Sequence, residues 1–257
     1  MARYMSTSNP VFRNFALPGA SSRTLGAEAM TLNGTIHRAI CLLFCVIAAA
    51  VWAWNGYATS GRRSLIIAIL ICSLAASVLV WVAVRKKQWS GIIAPGYALL
   101  EGLALGIISR GAEARHPGIA INAVAVTFVI CFCLLVAYRS GLIRVTEKFN
   151  AGLAVATIGV ALFYLAGLGL SLTGVRTFSV FAGAVPGILM SVVIVIIAGM
   201  TLVSDFNFIE RAVRSGLPKY MEWYAALGLT VALIWLYVEI LRLLSKAEKA
   251  QESGYSQ

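Results

Sequence analysis

Seven apolar runs, each close to the length a helix needs to cross bilayer hydrocarbon, dominate this chain and leave little choice of fold. They fall at about 35–54, 64–84, 91–108, 119–138, 153–172, 179–204 and 220–244. Lipid offers backbone groups no hydrogen-bond partner, so runs of this kind close their hydrogen bonds internally as helices. Hydrophobic residues make up 60% of the 257 and charged ones 12%, too little polar surface to solvate a globule. The expected fold is all-α: a polytopic membrane protein with seven transmembrane helices, its chief partner the lipid bilayer. Residues 1–33 are expected to form a flexible N-terminal tail, 34–246 the membrane domain and 247–257 a short polar C-terminal tail. The first run lies behind a polar stretch and more runs follow it, so it reads as a retained anchor rather than a cleaved signal.

A net charge of +11 would suggest nucleic acid in a soluble protein. Here the basic residues sit in short loops between apolar runs, where they set topology and meet lipid head groups, so no nucleic-acid partner is expected. The tail and the loops after the second, fourth and sixth runs hold thirteen Lys and Arg, against five in the other loops. That asymmetry predicts a cytoplasmic N-terminus. The five cysteines lie inside apolar segments without metal-ligand spacing and read as small core residues.

The acids are few, and their positions carry the chemistry. Asp205 is the only aspartate in the sequence and directly follows the sixth run. Its bland reading is a solvated helix-end cap; its functional reading is a titratable gate that handles protons or cations. A carboxylate partly dried between helices holds its proton more tightly, and a second carboxylate nearby strengthens that hold. Glu222 opens the last run on the same side, either tuning Asp205 or simply favouring the positive end of the helix dipole. Glu239 lies three residues before Arg242, a spacing that suits an ion pair on one helix face. Glu101 sits in the middle of the third run, too deep to reach water easily, and needs a proton, a partner or a wet cavity.

The connection FNFIERAVRSGLPKY reads as a short amphipathic helix at the interface, with Arg211 or Arg214 available to pair with Asp205 or with lipid phosphate. Two small-residue steps, Gly102 with Gly106 and Gly183 with Gly187, suit close helix packing. Enzyme signatures are missing: the two histidines, His37 and His116, flank spans, no second aspartate exists, and no Gly-rich phosphate loop precedes a Lys. The chain is expected not to be an enzyme and to need no cofactor.

The segments NPVF, Asn33-Gly34-Thr35, APGYALLEGLALGIIS, DFNFIE and EWYAALGLTVALIWLYVEILRLL, in this order, resemble the Bax inhibitor-1 (YccA-like) family in its bacterial branch. The resemblance implies a fold with the last helix wrapped by the other six. It also implies a pH-sensitive calcium leak governed by two aspartates, calcium being the transported ion. Asp205 matches the first of these and would contact calcium; the second, counted back from Arg242, falls on Ala232. The arginine expected within the second helix is absent, since Arg62, Arg63 and Arg85 only flank it, while Glu101 matches the family's third-helix acid. Two functions follow as expectations. The leading one is a pH-sensitive cation leak in a bacterial plasma membrane, with Asp205, Glu101 and Glu222 sensing protons and cations. The alternative is a non-conducting regulator of a membrane quality-control protease, acting through its basic tail and small-residue faces.

Overall fold

The computed structural model describes residues 29–56, 62–172 and 184–255. Most of the expected N-terminal tail therefore lies outside the described residues, as does Gly183. The elements in order are α1 (Leu32–Gly56), α2 (Arg62–Arg85), a 3₁₀ turn (Lys87–Trp89), α3 (Ser90–Glu113), α4 (Ile119–Arg139), α5 (Glu147–Leu172), α6 (Ala184–Arg214) and α7 (Met221–Tyr255). All seven α-helices are long and apolar enough to cross a bilayer, and the protein is a multi-pass membrane protein. Large side chains such as Phe44, Trp52, Ile92 and Phe132 point outward, as lipid-facing surface requires.

Helix α7 is the hub. Its buried residues include the consecutive Tyr224, Ala225, Ala226 and Leu227, more than one face of a helix can hold, so neighbours cover it on several sides. It packs directly on α1, α3, α4 and α6, and Tyr164 of α5 reaches it by hydrogen bond. Helix α1 is one-sided by contrast: Thr35, Ala39, Leu42, Val46, Ala49 and Ala53 form a buried stripe at alternating spacings of four and three.

The Gly102–Gly106 step packs on α1. A Cβ on Gly102 would lie 2.9 Å from the Cβ of Ala49, and one on Gly106 would run into the Ala50 carbonyl. The two backbones can approach this closely only because both glycines lack a side chain. The second step is only half described: Gly187 is buried, and its carbonyl accepts a hydrogen bond from Lys246 at 3.1 Å.

Two expectations are corrected, in whole or in part. The amphipathic connection is not a separate interfacial helix, because α6 continues unbroken through Asp205 to Arg214. What stops it is the Ser215-Gly216-Leu217-Pro218 sequence. The Leu217 N–H bonds back to the Ala212 carbonyl at 3.3 Å and Gly216 N–H to Val213 at 3.0 Å, with Gly216 at φ +63°: a Schellman ending. The polar stretch after 246 is helical and extends α7 as far as Tyr255, an addition to the expectation rather than a correction of it. The cysteines are free thiols; Cys45 and Cys131 pack partly buried against the core, but Cys41 and Cys133 are exposed among lipid-facing residues.

Candidate functional site

Asp205 is 0% exposed. Nine residues, or about 14 Å of helix at 1.5 Å per residue, separate it from the end of α6 at Arg214. It is therefore no helix-end cap. Around it on α6, Leu202 belongs to an apolar cluster with Ala232 and Leu236 of α7, while Phe208 and Ile209 belong to another with Met221, Tyr224 and Ala225. Helices α6 and α7 run antiparallel from the turn at 215–220 to the Lys246–Gly187 contact. Counted from both contacts, Asp205 lies level with Gly228 and Leu229. Polar company is close in sequence and space: Thr201 and Ser204 are buried, and Ser204 Oγ donates to Asn150 Oδ1 of α5 at 2.9 Å.

Glu101 stands midway along α3, half-buried, near Cys72 of α2 and one turn beyond Tyr97. Among the described residues it makes no ion pair or hydrogen bond. Helix α3 runs parallel to α7, with Gly91 beside Trp223 at one end and Ser109 Oγ 2.7 Å from Tyr237 Oη at the other. That register puts Glu101 level with Thr230 and Val231, within about 5 Å in depth of Asp205. The two acids occupy one depth but different sides: Asp205 lies on α6, Glu101 beside α2, and α3 and α6 share no extensive seam.

Glu222 does something else. It is buried, it accepts hydrogen bonds from the Thr31 N–H and Thr31 Oγ1, both at 2.9 Å, and it forms an ion pair with Arg38 of α1. Arg38 also donates to the Lys219 carbonyl at 3.1 Å and lies over the Trp223 ring at 5.2 Å. Gly34 leaves room for the carboxylate, which a Cβ there would hit. Just upstream, the Met30 N–H donates to the Leu217 carbonyl at 2.6 Å, and Met30 is buried. Glu222 thus ties the start of α1 to the start of α7, and its charge is committed to Arg38.

Glu239 and Arg242 pair at 3.2 Å, as their spacing predicts. The Tyr164 hydroxyl of α5 and the Trp235 indole N–H also donate to Glu239, at 2.9 and 3.2 Å, and Arg242 additionally touches Tyr164. Arg214 is mostly exposed and bonds Glu210 at 2.5 Å, while Arg211 donates to the Val145 carbonyl at 3.3 Å. These contacts place both arginines with groups other than Asp205, which was one of the two partners the sequence left open to them. Sequence reasoning also missed Arg38, Thr31, Tyr164 and Asn150. Arg38 alone carried a signal, as a cation at the entrance of an apolar run.

A family model described as Bax inhibitor 1 like matches residues 9–249. The chain belongs to that family. A search of the curated proteins finds no match. Within the family fold the position level with Asp205 on α7 is apolar, and Ala232, one turn further on, is buried against Leu202 and Leu236. Neither offers a second acid. Among the described residues no group of three His, Cys, Asp or Glu side chains is placed to hold a metal ion. A cation meeting Asp205 would keep most of its oxygen shell from water or backbone, a weak and transient mode of binding.

Proposed function

We propose that this member of the family is a pH-sensitive cation leak, with calcium as its ion, in which the charge state of Asp205 sets the gate. The observation that carries the reading is the complete burial of Asp205 well inside a membrane bundle, beside the Asn150–Ser204 pair. An ionised carboxylate there is costly unless water or a cation accompanies it, so losing the proton favours a wetter, more open seam between α6 and α7. Glu101, at the same depth and without an ion pair among the described residues, supplies a second acid toward α2. Glu222 and Glu239 are structural in this scheme. The basic asymmetry of the loops supports a cytoplasmic N-terminus, and the resemblance to the bacterial branch supports a bacterial plasma membrane. The protease-regulator reading draws less support, since Gly102 and Gly106 are already occupied by α1 and are not open to a partner helix.

Vesicles holding the purified chain and a calcium dye test the proposal. Flux should rise with pH in the natural protein and stay low and flat in Asp205→Asn, whose side chain cannot ionise. Flux that keeps its pH response in Asp205→Asn would reject the gate, and absence of any flux would return the regulator reading.

A further inference from the structure

At the end of the bundle away from Glu222, a cavity of about 390 Å³ opens between α2, α3 and α7. Its rim is basic, with Arg115, Arg242 and Lys249 beside His116, and no acid among the described residues lines it. The acids nearby are engaged. Glu239 pairs with Arg242, Glu252 sits 3.5 Å from His116 Nδ1, and Glu113 accepts the Gly118 and Ala120 N–H groups at 2.6 and 3.0 Å. Arg115 and Lys249 are exposed, and neither has an ion pair among the described residues. Below this rim the wall is aliphatic, formed by Ile66 and Ile69 of α2, Ile108 of α3 and Leu241 of α7. Ile66 is half-exposed on the lipid-facing surface, so the cavity opens sideways toward the bilayer.

A basic rim over an aliphatic wall matches one chemistry, an anion carried on a hydrocarbon chain. Arginine and lysine bind phosphate oxygens by charge-assisted hydrogen bonds, and basic pockets between membrane helices suit anionic lipid head groups. A soluble anion would need the cations but not the aliphatic wall. We propose that this cavity holds the phosphate head and upper chain of an anionic phospholipid, with Arg115 and Lys249 as its principal contacts.

The test uses the full chain in phosphatidylcholine nanodiscs with phosphatidylglycerol titrated in, retained lipid being counted by native mass spectrometry. The natural protein should retain phosphatidylglycerol over phosphatidylcholine. Arg115→Gln with Lys249→Gln, both at exposed positions, should cut that preference by about thirtyfold, from about 1 kcal/mol for each of the two basic residues at a membrane surface. Ile66→Trp, which fills the aliphatic wall, should lower retention, and added inorganic phosphate should not displace the lipid. The control is Arg144→Gln with Lys148→Gln, equally exposed at the opposite end, which should leave the preference unchanged. An equal loss in this control would reduce the effect to general surface charge and overturn the site. So would an unchanged preference in the Arg115 and Lys249 variant, or displacement by inorganic phosphate with Ile66→Trp silent.

Discussion

The two acids buried on α7 and the two at mid-depth on neighbouring helices are held in different ways. Glu222 and Glu239 are both 1% exposed, yet each meets an arginine and several hydrogen-bond donors, and each ties α7 to another helix. At mid-depth, Glu101 is half-buried with no ion pair among the described residues, and Asp205 is buried at the same level on the other side of the hub. Burial alone therefore does not mark a sensor. A buried acid paired with an arginine, as Glu222 and Glu239 are, ties helices together; the role proposed for Asp205 rests on its depth in the bundle.

The comparison breaks most visibly at the paired end. Glu222→Ala leaves the half-buried Arg38 and two Thr31 donors without their acceptor and should destabilise the protein by about 2 kcal/mol, read as a lowered midpoint in detergent unfolding. Gly106→Ala pushes a methyl into the Ala50 carbonyl and should cost about 2 kcal/mol in the same assay without changing the pH response of flux. Arg214→Ala removes an exposed pair with Glu210, one helical turn apart, and should shift stability by less than about 0.5 kcal/mol. If Arg214→Ala cost as much as Glu222→Ala, the distinction between clamping and surface pairs would fail.

Hydropathy made the seven helices and their order legible, because a span of apolar residues has no other stable form in lipid. The Glu239–Arg242 pair was legible too, since both partners share one helix face. The depth of Asp205 was not, because the change from apolar to polar residues at that point looks like a membrane boundary. The true helix stop, Ser215-Gly216-Leu217-Pro218, was written in the chain, but as turn chemistry rather than hydropathy. The Glu222–Arg38 clamp joins opposite ends of the sequence, and nothing local announces it. The glycine step at 102 and 106 signalled close packing without saying that α1 was the partner.

Calcium flux against pH, measured side by side for Asp205→Asn and Glu222→Gln in vesicles, tests the division of labour most directly. The account predicts that Asp205→Asn loses the pH response, while Glu222→Gln keeps it at lower stability. A flat response in Glu222→Gln together with a normal one in Asp205→Asn would contradict it.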